Sequence, residues 1–160
     1  MKKILVLVFA LAVMVFCNVV GAANDFAGSK SMLDAAERIV PVNAEIVSME
    51  EGVETTLLVY VDGETMTYYD LSFNTATLKL EKLRAQSSNI IGSTMMSKTA
   101  EDIKTIVLQE YPEAVDLEIT TVKDGLNTYY KAAFNMADYR AVLKLNPVTG
   151  AIGERVLFYK

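Results

Sequence analysis

Histidine and tryptophan are absent from this chain, and it holds a single cysteine, Cys17. Without histidine there is no imidazole to act as a base near neutral pH, to complete a Ser–His or Cys–His pair, or to ligate a metal. One cysteine cannot form an intrachain disulfide. Proline occurs only at Pro41, Pro112 and Pro147, each at the edge of an expected element. Basic charge is also scarce, with 15 Lys and Arg against 20 Asp and Glu. An acidic chain is repelled by phosphate backbones, which argues against a nucleic-acid partner.

Carboxylates are what remains for catalysis. Glu50-Glu51 and Glu101-Asp102 are adjacent pairs. Neighbours on a strand point to opposite faces, and neighbours on a helix diverge by about 100°, so neither pair converges on a substrate. No run resembles a calcium loop of alternating acids around a glycine, and Met95-Met96 reads as packing rather than a metal site. The sequence therefore points away from an enzyme and implies no cofactor or metal.

The N-terminus reads as a secretory signal. Lys2 and Lys3 precede the apolar run Ile4 to Phe16, and small residues around Ala22-Ala23 offer a cleavage place. A retained anchor is the alternative, but the run is short of the roughly 20 residues of a spanning helix. Phe16 is too large for the position before a lipidated cysteine, so Cys17 reads as part of the signal, with a lipid anchor the weaker option. Loss of residues 1–23 leaves 13 basic against 20 acidic residues over about 137 positions. The expectation is an exported protein, periplasmic or extracellular, without stable membrane insertion after cleavage.

Beyond the signal, one pattern occurs twice. Ser31 with Asp34 looks like a helix cap, and Leu33, Ala36 and Ile39 give a helical stripe before Pro41. Strand patterns run over 44–50, 53–61, 66–73 and 78–83, with Asp62-Gly63 a hairpin signal. In the second, Val53, Leu57, Val59 and Val61 are expected to face the core; in the third, Tyr69, Leu71 and Phe73. Residues 86–98 are Ser-rich and read as a linker lying over an apolar surface. Thr99 with Asp102 then caps a second helix ending at Pro112, and strands run over 115–122, 127–135, 139–146 and 152–158.

Pro41 matches Pro112, Gly52 matches Gly125, and Leu71 matches Leu143, a spacing of about 71 to 73 residues. The expected fold is α+β: two tandem modules, 24–85 and 99–160, each with one helix packed on a four-stranded antiparallel meander.

The segment Leu143-Lys144-Leu145-Asn146-Pro147-Val148-Thr149-Gly150-Ala151-Ile152 resembles the closing signature of PepSY domains: an apolar strand, Asp, two residues, Thr-Gly, one residue, then an apolar residue. Asn146 stands where Asp is commoner. Asn74-Thr75-Ala76-Thr77-Leu78 is similar but lacks the glycine. The resemblance spans nearly all of the chain after the signal. It implies bacterial modules that are secreted or membrane-tethered. Such modules occur in protease propeptides and in tandem proteins similar in fold to a β-lactamase inhibitor protein. The implied role is peptidase binding or inhibition, or interaction at the cell envelope, and no active-site residue is implied.

Strand alternation places Glu54, Thr56, Leu58, Tyr60, Tyr68, Asp70 and Ser72 of the first unit on a face away from its helix. In the second unit it places Tyr129, Lys131, Arg140, Val142, Lys144 and Arg155 there. Tyr60, Tyr68, Tyr129, Lys131, Arg140 and Lys144 are the candidate partner-binding residues, because Tyr and Arg anchor interfaces. Two purely structural roles stay open: the tyrosines stabilise the sheet as cross-strand pairs, or the opposite charges dock one module on the other. The expected function is a secreted, non-catalytic protein-binding module whose partner is a peptidase or envelope component. The alternative is a small-ligand-binding or structural and sensory envelope protein.

Overall fold

The computed structural model describes residues 25–160; the expected signal, Ala22, Ala23 and Cys17 lie outside the described residues. Met32–Lys160 form one compact unit. The elements are α1 (Asp25–Ala36), β1 (Ala44–Glu51), β2 (Thr55–Asp62), β3 (Thr67–Asn74) and β4 (Leu80–Gln86). Then come α2 (Ala100–Glu110), β5 (Val115–Asp124), β6 (Asn127–Asn135), β7 (Tyr139–Leu145) and β8 (Ile152–Tyr159).

All eight strands belong to one antiparallel sheet, in the order β1-β2-β3-β4-β8-β7-β6-β5. This corrects the expected pair of separate four-stranded sheets. Each four-stranded run alone would leave two open edges. Pairing β4 with β8 satisfies the backbone groups of two of them and, among the described residues, leaves β1 and β5 as edges.

Two apolar clusters lie on one face. Met32, Ala36 and Val40 pack on Leu58, Leu71, Phe73 and Leu83. Ile103 and Val107 of α2 pack on Tyr130, Ala132, Phe134, Leu143 and Leu145. Leu157 of β8 touches both clusters and so joins them.

Helix α2 starts where the sequence indicates. The Asp102 backbone N–H donates to the Thr99 hydroxyl at 3.2 Å, and the Thr99 N–H donates to the Asp102 carboxylate at 2.7 Å. These reciprocal bonds satisfy two free N–H groups of the first turn. Thr99→Ala is expected to cost about 1 kcal/mol, read as a lower midpoint in urea unfolding with an unchanged slope. The same spacing at Ser31 and Asp34 misleads, since α1 already begins at Asp25 and Ser31 is inside it.

Strand β2 is turned over relative to expectation. Thr56, Leu58, Tyr60 and Asp62 face the helix side, opposite Phe73, Leu71, Tyr69 and Thr67 of β3. Leu57-Leu58-Val59 is apolar on both faces, so alternation within β2 does not decide. The clear alternation of β3 decides it through cross-strand pairing. Asp62 is buried because its carboxylate closes the hairpin, accepting from the N–H of Glu64 at 2.9 Å and the hydroxyl of Thr65 at 2.8 Å.

Candidate functional site

The sheet face opposite the helices carries the side chains that local packing leaves over. Cross-strand register aligns them into rows that cross the whole sheet. One row reads Glu45, Val61, Tyr68, Gln86, Glu154, Lys144, Lys131, Thr120 from β1 to β5. The next reads Ser48, Val59, Asp70, Arg84, Val156, Val142, Ala133, Glu118, and a third includes Lys82, Phe158, Arg140 and Asn135. With strands about 4.8 Å apart, each row is roughly 34 Å wide.

At the centre of this face lies an ion network. Glu154, 6% exposed, accepts from Arg84 Nε at 2.8 Å and from Lys144 Nζ at 2.6 Å. Arg84 also reaches Asp70 at 3.4 Å and donates to Gln86 at 2.6 Å. Burial would raise the Glu154 carboxyl, but the bonds from Lys144 and Arg84 outweigh it and hold the carboxyl below its ordinary value. The Arg84 guanidinium is raised in turn, its bond to Glu154 being the largest cause. Because Arg84 and Glu154 lie on the two joined halves, the network crosses the β4–β8 seam.

Lys144 sits opposite Lys131 on the neighbouring strand. Two directly opposed lysines repel; Glu154 neutralises Lys144, whose ammonium also stands 5.8 Å from the Tyr129 ring centroid. Lys131 is left exposed, and among the described residues it has no ion pair. Arg140 is likewise exposed, opposite Asn135 and Phe158. Between these cations lie the half-buried Ala133 and Val142.

The structure thus brings Tyr129, Lys131, Arg140 and Lys144 together on β6 and β7. Tyr68, 49% exposed, shares their face but lies four strands from Lys131. Tyr60 does not belong to this surface: it is 4% exposed and points to the helix side. Thr56 and Leu58 share that correction. Arg155 is also on the helix side, opposite Ala85 and Leu143, and its guanidinium is bonded to Glu110 of α2. A register irregularity at the β7–β8 turn gives Glu154, not Arg155, to the open face. Glu154 and Arg84 escape sequence reasoning, since only the long-range β4–β8 pairing brings them together.

Among the described residues, no group of three or more acidic side chains converges to hold a metal ion, and no helix is long and apolar enough to cross a membrane. No protein-family profile matches the chain, and no curated protein matches it. Among solved structures it is similar to a BLIP-like protein from Bacteroides fragilis. That match is 12% identical and covers 84% of this chain and 85% of the other, with a TM-score of 0.34.

Proposed function

We propose that this chain is an exported, non-catalytic binding protein that docks another protein on its open sheet face. In this reading residues 24–85 and 99–160 are two PepSY-like modules fused through β4 and β8, with 86–98 as the connection. The carrying observation is the pair of cations, Lys131 and Arg140, which make no ion pair among the described residues and flank the half-buried Ala133 and Val142 on the face opposite α1 and α2. Such a surface suits a partner segment with carboxylates on either side of an apolar side chain. A peptidase or an envelope component is the partner class.

The test is affinity capture from native envelope and culture fluid, followed by inhibition assays on any peptidase recovered. Lys131→Glu with Arg140→Glu is expected to weaken capture at least tenfold, chiefly through a slower, less salt-sensitive association. Lys144 is a poor probe because it also holds Glu154. Undiminished capture by the double variant would rule this face out.

A further inference from the structure

Among the described residues, β1 and β5 are the outermost strands of the sheet, and an outermost strand presents one row of unpaired backbone groups. The two edges differ in what they offer a further strand. On β5, Leu117 and Ile119 are already half-buried against the second apolar cluster, so an added strand would remove little more apolar surface from water. On β1, Ile46 and Met49 stand opposite Tyr60 and Leu58 and so lie on the helix side, yet they are 47% and 36% exposed. The first apolar cluster is built on Leu58, Leu71, Phe73 and Leu83 of the strands further in. A strand laid along β1 would cover Ile46 and Met49 and carry that cluster outward.

The charge of β1 says which strand fits. Glu45 and Glu50 stand opposite Val61 and Leu57, on the open face. Neither they nor Glu51 make an ion pair among the described residues. Edges are kept from stray pairing by bulges, proline and charge. β1 has an irregularity at Val47, which has no partner on β2, but it has no Pro, Lys or Arg. Its charge is of one sign, so it excludes selectively.

A second copy of this chain is disfavoured as the occupant. Its own β1 would set three Glu beside three Glu. Its β5 would bring Asp116, Glu118 and Asp124 with Lys123 the one cation. Like charges facing across a strand pair destabilise it, whereas opposite charges stabilise it.

We propose that β1 accepts, by strand addition, an extended basic segment of another protein. Lys or Arg of that segment pairs with Glu45 and Glu50, and apolar side chains lie beside Ile46 and Met49. Since their partners on β2 run Val61, Tyr60, Leu58 and Leu57, the matching segment reads basic, apolar, any residue, apolar, basic. Backbone bonds supply affinity, and the alternating side chains supply selectivity.

The experiment is amide hydrogen exchange by NMR with the end-blocked peptide Thr-Thr-Lys-Val-Thr-Val-Lys-Thr-Thr. A second peptide has Glu in place of both Lys, and a third carries N-methyl groups along its backbone. The Lys peptide is expected to slow exchange at the amides of residues 44–51. The Glu peptide should bind about tenfold more weakly, and the methylated one should give no protection. Glu45→Lys with Glu50→Lys is expected to reverse the preference between the charged peptides. Val47→Pro, a residue tolerated at an irregularity on an edge strand, should abolish protection. The proposal fails if the Lys peptide leaves β1 unprotected at low millimolar concentration, or protects β5 equally. It fails if charge reversal leaves the preference unchanged. It also fails if the peptide-free protein protects β1 in a concentration-dependent way, which would make a second copy the occupant.

Discussion

Glu154→Gln is expected to destabilise the fold by about 2–3 kcal/mol, lowering the thermal midpoint by roughly 5–10 °C. The substitution keeps the shape of the side chain and removes its charge. Arg84 and Lys144, which converge on Glu154 at 2.8 and 2.6 Å, then face each other without an anion between them. Both cations are about one-third exposed, so water relieves part of the repulsion, and the cost stays below that of orphaning a fully buried ion. Adding Lys144→Met removes one of the two cations, so the double variant should lose less than the sum of the singles. Calorimetry of the four proteins checks this; strictly additive losses would mean Glu154 and Lys144 do not act together.

The same carboxylate gives a pH dependence of known sign. Its folded-state value is depressed, so protons bind more readily to the unfolded chain. Its contribution is therefore complete above the unfolded value of about 4.3 and is lost as pH falls through the folded one. Asp62, held low chiefly by its bond from Thr65, and Asp102, held low by the Thr99 backbone, act in the same direction. Stability should decline below about pH 4. Because Glu154→Gln has no such group to protonate, its deficit relative to the parent should narrow over that range.

Asn146→Asp is expected to cost about 2–3 kcal/mol. Asn146 is 8% exposed. Its side-chain oxygen accepts from the N–H groups of Val148 and Thr149 at 2.8 and 3.0 Å, which an aspartate would also do. Its amide nitrogen donates to the Ile90 carbonyl at 2.8 Å, which an ionised aspartate cannot do. The substitution sets two acceptors against each other in a buried place. Hydrogen exchange should quicken at Ser93, Ser97 and Lys98, whose N–H groups bond to Thr128 and Pro147 nearby. Acidification restores a donor, so the variant's deficit should shrink at low pH; a pH-independent deficit would mean the Ile90 bond is not its cause.

The sequence carries whatever short-range patterning controls. The Thr99–Asp102 box, the β3 face of Tyr69, Leu71 and Phe73, and the turn at Asn146 all depend on neighbours a few residues apart, and all are readable. A capping pattern cannot reveal that a helix extends upstream of it, so Ser31 misleads. A doubly apolar strand cannot name its own buried face, so β2 reads inverted and Tyr60 reads as a surface residue. Asp70 is readable as a surface acid, but not as the partner of an arginine tied to Glu154. Those contacts arise from a strand pairing that joins Gln86 to Glu154, and no local pattern encodes it.

That pairing has a consequence in time. β8 lies in the middle of the sheet, yet it comes after every other strand in the sequence. A ribosome adding about 5–20 residues per second needs on the order of 3–13 seconds to pass from β4 to β8. Until β8 is available, β4 has no strand partner on that side. Its sequence LEKLRAQ places Glu81, Lys82 and Arg84 along that edge, charges that discourage a stray strand from another nascent chain. The arginine that ties the two halves together is thus also one of the charges that an unpaired β4 would present.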